Sequence, residues 1–139
     1  MKLRVIIGLF IVVLLAGCGG GGGSGNEHVY ITTPNGFTFS VVDNNVSYQD
    51  FLHSGTTHLY AIQVSPGYQY SVYLDTTAGD SDLYLYYDYT LSGQSLLGYS
   101  DFSGHASDSV TFYSDFSGII YIEVYGVVNS DYLISVDRV

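Results

Sequence analysis

Only three Lys and Arg residues occur among 139, with a single cysteine and no tryptophan. The shortage of bases excludes a nucleic-acid binder, because phosphate contacts draw on Lys and Arg. It also leaves little with which to clamp a phosphate or to stabilise an oxyanion by charge. One cysteine excludes an internal disulfide framework. The four histidines, His28, His53, His58 and His105, are scattered, and no two stand at a zinc-like local spacing. No Gly-x-Ser-x-Gly elbow occurs. Apolar residues nowhere keep helical spacing over three turns, so helices are not expected.

Acid and aromatic side chains are abundant. The chain holds 13 Asp and Glu, 15 Tyr and 7 Phe, and is 47% hydrophobic but only 12% charged. Such a chain has enough apolar matter to fold, and its Tyr, Val and Ile suit a pleated, half-buried surface. Lys2 and Arg4 sit at the N-terminal extreme. Without that end Arg138 alone stands against thirteen acids, a formal charge of −12. A body so charged repels nucleic acid and anionic lipid. A cation or a neutral polymer fits better as a partner, although the acidity also serves solubility.

Residues 1–17 have the layout of a secretory signal. A short basic start precedes an apolar run at 5–15, broken only by Gly8, and then the small Ala16 and Gly17. The run is shorter than the roughly 20 residues of a membrane span. Leu15-Ala16-Gly17-Cys18 resembles the bacterial lipobox at all four positions. The resemblance implies a diacylglycerol thioether on Cys18, cleavage before it, and acylation (palmitate-type) of the new N-terminus. One acyl chain holds a protein only marginally, whereas several on one residue anchor it stably. Residues 18–26 are then the lipidated cysteine and a glycine-rich tether, with a reach of roughly 15 Å for about eight residues. Gly19 stands where an aspartate would imply the inner membrane, so the resemblance implies the outer membrane or cell surface.

Residues 27–139 read as one all-β domain. In "HLYAIQV" Tyr60, Ile62 and Val64 share a face, and in "YQYSVYLD" Tyr70, Val72 and Leu74 do. The Ser65-Pro66-Gly67 turn between them suggests a hairpin. "DLYLYYDYT", "SVTFY", "IIYIEVYG" and "DYLISVDRV" alternate likewise, and "HVYITT" and "FTFSVV" flank the Pro34-Asn35-Gly36 turn. The expectation is an antiparallel β-sandwich of jelly-roll type with seven or eight strands. "SDFSG" occurs at 100–104 and again at 114–118, as a recurrent turn or a repeated ligand loop.

Residues 58–139 resemble the bacterial pre-peptidase C-terminal domain. "LYAIQVSPGYQYSVYL" is similar to its opening hairpin, "GDSDLYLY" at 79–86 to its most distinctive motif, and "SGIIYIEVYG" and "YLISV" to its closing strands. The resemblance implies a jelly-roll sandwich acting as a non-catalytic module in secretion, folding or substrate targeting. The collagen-binding domains of clostridial collagenases, similar in architecture, grip their ligand with tyrosines and bind calcium.

Two sets of side chains are candidates for chemistry. Asp80 and Asp82 fall on one face at a strand mouth, and with Asp101 they are candidate calcium ligands; Asp108, Asp115 or carbonyls would complete the six to eight oxygens the ion takes. The same aspartates also suit a turn cap. Tyr73, Tyr84, Tyr86, Tyr121 and Tyr125 fall opposite the inferred core, as a ligand-binding face or as strand formers partly covered. The reading is a lipid-anchored envelope protein with a non-catalytic binding module for an extracellular protein or polysaccharide, with calcium as a candidate support. An accessory, chaperone-like or structural role beside a secreted partner is the alternative, and a hydrolase working through a carboxylate pair stands third. The lipobox carries a direct expectation. Replacement of Cys18 by Ser will abolish incorporation of labelled palmitate and move the protein from membrane to soluble fraction. Label retained by the variant would refute lipidation at this residue.

Overall fold

The computed structural model describes residues 29–139; Cys18, the signal, the tether and His28 lie outside the described residues. Ten strands make two layers. They are β1 (Tyr30–Thr32), β2 (Thr38–Val41), β3 (Ser47–Leu52), β4 (Thr57–Val64), β5 (Tyr68–Ala78), β6 (Ser81–Tyr86), β7 (Leu96–Ser100), β8 (Ser107–Ser114), β9 (Gly118–Gly126) and β10 (Ser130–Arg138). A single 3-10 turn, Gly93–Ser95, precedes β7, and no α-helix occurs among the described residues.

One sheet runs β1-β2-β4-β9-β6-β7 and the other β3-β10-β5-β8. Strands β3 to β10 thus follow the jelly-roll order, and β1 and β2 extend one sheet beyond β4. The expected sandwich is present, with three corrections. The strands number ten, because β3 and β7 escape the alternation rule. β3 has one buried residue, Leu52, and β7 one, Ser100, so neither shows a full apolar face to read. Both lie at sheet edges, where one side pairs with nothing. The pairing is antiparallel throughout except between β2 and β4, which run parallel. The third correction concerns β4 and β5, which are not a hairpin. β4 pairs with β2 and β9, β5 with β10 and β8, and Ser65-Pro66-Gly67 carries the chain between the sheets. Two apolar faces joined by a tight turn can meet across a core as readily as they can sit side by side.

That core takes Tyr60, Ile62 and Val64 from β4, Leu83 and Leu85 from β6, and Ile120, Ile122 and Val124 from β9. Against them stand Tyr70, Val72, Leu74, Phe112, Tyr132, Ile134 and Val136 of the facing sheet. Each such side chain, fully buried, contributes about 1.5–3 kcal/mol against exposure. A second, smaller cluster lies on the outer face of the six-stranded sheet, where Phe39 and Ala61 pack with Tyr86 and Tyr121 beneath Tyr89 and Leu91.

At one end of the sandwich the turns are tied together. The Ser54 amide donates to Asn129 Oδ1 at 2.9 Å and the Ser54 hydroxyl to the Val127 carbonyl at 3.0 Å. The Asp80 carbonyl accepts from the Val127 and Ser130 amide and hydroxyl groups respectively. Gly79 makes this closeness achievable. Its φ is +94°, and a Cβ there would stand 2.1 Å from the Asn129 carbonyl oxygen and 2.6 Å from Ser130 Oγ. Gly79→Ala therefore combines backbone strain with a clash against fixed backbone, and is expected to cost about 3 kcal/mol or more. Gly93→Ala, at ordinary φ and with nothing within 4 Å, will change stability by no more than ~0.5 kcal/mol. Urea denaturation of the two variants checks the contrast, and equal midpoints would contradict it.

Candidate functional site

The outward residues of β7, β6, β9 and β4 form rows across the six-stranded sheet. Tyr84 lies between Tyr99 and Glu123, Asp82 pairs with Tyr125, and Tyr86 pairs with Tyr121. Alternation puts all of these opposite the core, because Leu83, Leu85, Ile122 and Val124 point inward. The sheet does not leave them equally open. Tyr86 and Tyr121 are only 7% and 6% exposed. Phe39 packs on Tyr121 edge to face at 4.9 Å, and Tyr89 covers it at 6.2 Å. The Tyr86 hydroxyl donates to Glu123 Oε2 at 2.9 Å. Burial first, then the bond to Glu123 and its charge, push the Tyr86 hydroxyl above its ordinary range. Tyr73 stands elsewhere, on the outer face of the four-stranded sheet between Ser109 and Ser135.

The five tyrosines singled out from the sequence are thus divided. Two are under cover, one is on the other sheet, and the exposed Tyr125 and the half-buried Tyr84, which leans on the covered pair, remain at the solvent side of the patch. Tyr99 completes it. This residue stacks on Tyr84 with ring centres 6.1 Å apart and planes at 17°, and is 57% exposed. It escaped the sequence reading because β7 did. Its only signal was an aromatic residue in an otherwise short and Gly-containing run.

Acids border the patch. Asp80 is a turn cap, its Oδ1 accepting from the Gly104 amide at 3.0 Å and its own amide donating to Ser130 Oγ at 2.9 Å. Asp82 points outward, with the Tyr84 hydroxyl 3.4 Å from Oδ2. Partial burial, then the charges of Asp80, Asp108 and Asp101, raise its carboxyl above the usual carboxylate range. Asp108 is fully buried. Its Oδ1 accepts from the Ser100 hydroxyl and the Phe102 amide, while Oδ2 has no hydrogen-bond partner. Asp80, Asp82 and Asp101 therefore share a field. Among the described residues, however, no three His, Cys, Asp or Glu groups converge closely enough to hold a metal ion. The repeated "SDFSG" closes β7 and β8 in turn. Ser100 and Ser114 are buried at the strand ends, and the Ser114 hydroxyl donates to the Phe116 carbonyl at 2.8 Å.

A polar cluster that the sequence did not advertise sits at the side of the sandwich. The Tyr60 and Tyr132 hydroxyls are 2.6 Å apart, His58 Nδ1 lies 2.7 Å from the Tyr132 hydroxyl, and Asp50 Oδ2 lies 3.2 Å from both His58 Nδ1 and the Tyr60 hydroxyl. The cluster borders a shallow cavity of about 320 Å³ lined also by Thr38, Ser40 and Thr57. It joins β4 of one sheet to β3 and β10 of the other, so its chemistry is that of a clasp. Asp50 lies on the unrecognised β3, so no spacing in the sequence could have linked it to His58. Burial is the main cause that raises both tyrosine hydroxyls; next for Tyr132 comes the neighbouring Tyr60 hydroxyl, while for Tyr60 the bond to Tyr132 opposes the shift.

Neither a protein-family model nor a curated protein matches the sequence. Among solved structures the fold is similar to the pre-peptidase C-terminal domain of collagenase from Bacillus anthracis, with a TM-score of 0.56 and 18% identity over 70% of this chain and 92% of that one. It is similar also to PliG of Aeromonas hydrophila, a periplasmic lysozyme inhibitor of g-type lysozyme, with a TM-score of 0.56 and 15% identity over 68% of this chain and 85% of that one. At such identities the likeness is one of fold.

The clasp predicts an alkaline limit. A tyrosine whose hydroxyl is held above its unfolded value stabilises the fold fully below roughly pH 10, and this contribution is lost as pH rises through the raised value. The melting temperature is expected to hold from neutrality to about pH 10 and then fall, with part of the phenolate absorbance appearing only on unfolding. Tyr132→Phe removes the hydroxyl shared by Tyr60 and His58 and should cost about 1–3 kcal/mol at neutral pH while shrinking the alkaline step. Titration of every tyrosine at its ordinary value in the folded protein would contradict the clasp.

Proposed function

We propose that this chain is a lipid-anchored protein of the bacterial cell envelope whose sandwich is a non-catalytic binding module for an extracellular protein or polysaccharide. The anchor rests on the signal-like residues 1–17 and the Leu-Ala-Gly-Cys run ending at Cys18. The module reading is supported by the fold, which is shared with an accessory domain of a collagenase and with an inhibitor of a lysozyme. Membership of the pre-peptidase C-terminal domain family belongs to the proposal, carried by "GDSDLYLY", which here forms Gly79 and the strand β6.

The single observation that carries the reading is the open stack of Tyr84 and Tyr99 beside Tyr125, Asp82 and Glu123. Two parallel rings on a rigid sheet offer flat contact area, with little side-chain freedom left to lose on binding. The same sheet buries Tyr86 and Tyr121, and Tyr84 leans half-buried on their cluster, whereas Tyr99 stands exposed beyond it, so exposure is not a general property of the outer face. Around the patch stand acids and hydroxyls and no Lys or Arg, a poor endowment for stabilising a developing anion.

Retention of the purified protein on immobilised matrix protein, g-type lysozyme and cell-wall polysaccharide tests this directly. One of these ligands is expected to hold the wild type, and Tyr84→Ser with Tyr99→Ser should weaken that hold about tenfold, the melting curve showing that the variant stays folded. Tyr73→Ser, on the other sheet, should leave binding unchanged. If no ligand is held, or if the two serine variants bind as wild type, the patch is not the binding surface.

A further inference from the structure

We infer that the patch of Asp82, Tyr84, Tyr99, Asp101 and Glu123 is a docking surface for a basic protein, whose Lys or Arg side chains it receives. The inference rests on the binding-module reading and narrows it to one partner chemistry.

Charge is the first argument. Arg138 is the only Lys or Arg among the described residues, and its guanidinium already lies over the Tyr68 ring at 4.8 Å, on the four-stranded sheet. The patch therefore has no base of its own with which to balance Asp82, Asp101 and Glu123. Among the described residues no Lys or Arg is left to make a structural ion pair there.

The second argument is the crowding of acids. Asp82 stands close enough to Asp80 and Asp101 for their charges to reach it, and its carboxyl is raised by burial first and then by Asp80. The ionised patch is thus held against mutual repulsion in the free protein. A cation arriving from outside relieves that repulsion, and an uncharged ligand leaves it in place.

The rings supply shape. Tyr84 and Tyr99 are nearly parallel, and Tyr84 is flanked in register by Glu123. A guanidinium can lie flat on such a ring while its edge meets a carboxylate, and an ammonium can sit over the face. A neutral polysaccharide could use the rings, but it would desolvate three carboxylates without pairing them. Polyanions are repelled outright. A basic protein satisfies both halves of the patch.

The full chain, immobilised, should be offered poly-L-arginine, a neutral β-glucan and poly-L-glutamate. Poly-L-arginine alone is expected to be retained, and salt at ~0.5 M should weaken it at least about tenfold, as screening requires. The triple variant Asp82→Asn, Asp101→Asn and Glu123→Gln should lose about tenfold or more at low salt. Asp43→Asn, Asp75→Asn and Asp137→Asn remove the same charge outside the patch, and should change binding less than about twofold. Melting curves of both triples establish that each is folded, and the two tyrosine hydroxyls of the clasp provide an independent check through their delayed titration. Equal loss in the two triples would overturn the inference, since net charge and not the patch would then be responsible. Retention of the glucan and not of poly-L-arginine would also overturn it while leaving the binding-module reading in place. Retention of neither probe, together with failure on every protein and polysaccharide ligand above, would remove both.

Discussion

Each sheet has one apolar face, and neither face can be left in water. That constraint organises the molecule. Ile62, Ile120, Ile122 and Val124 from one layer can be covered only by Val72, Leu74, Ile134 and Val136 from the other. The chain accordingly crosses between layers at most of its turns, and only β1 to β2 and β6 to β7 connect neighbours within a sheet. The crossing turns then have to approach one another at the ends of the sandwich. The positive φ of Gly79 and the threefold use of the Ser130 hydroxyl follow from that crowding.

Outside the core the two sheets behave differently. The four-stranded sheet presents Tyr73, Asp75, Ser109 and Thr111 to solvent, an ordinary polar exterior in which the Thr111 hydroxyl pairs with that of the buried Ser71 at 2.8 Å. The six-stranded sheet has a second apolar cluster on its outer side, roofed by Phe39 and the segment that carries Tyr89 and Leu91. The roof stops short of β7. Where it stops, the half-buried Tyr84 and the exposed Tyr99 stand beside acids that no Lys or Arg among the described residues balances. A sequence that is otherwise locally consistent departs from good folding practice at this place, and such departures gather at functional sites.

Much of this was legible in the residues. Six strands announced themselves through period-two alternation, because each has one face in the core, as with Tyr60, Ile62 and Val64 or Tyr132, Ile134 and Val136, and β1 and β2 were marked by the turn between them. The outward direction of Tyr84, Tyr86, Tyr121 and Tyr125 followed from the same rule. What alternation cannot report is the third dimension. It gives the face of a side chain and not what lies above that face, so the cover over Tyr86 and Tyr121 was invisible. It is faint on strands that give the core only one or two side chains, and β3 and β7 were lost for that reason, with Asp50 and Tyr99 on them. It does not distinguish a turn within a sheet from a turn between sheets, and Ser65-Pro66-Gly67 is the second kind. The sequence places Asp80 and Asp82 two residues apart, but the Gly104 amide that occupies Asp80 comes from 24 residues away.

The neighbourhood of β3 and β10 has a consequence for how the domain is made. β3 pairs only with β10, and β10 lies between β3 and β5. Strands from near the start and the end of the described residues are therefore interlocked, and the layer containing them cannot zip up in the order of synthesis. Assembly has to wait for a distant segment, and topologies of that kind mature slowly. In the exported protein proposed above, that delay would keep the domain open during passage through a membrane channel.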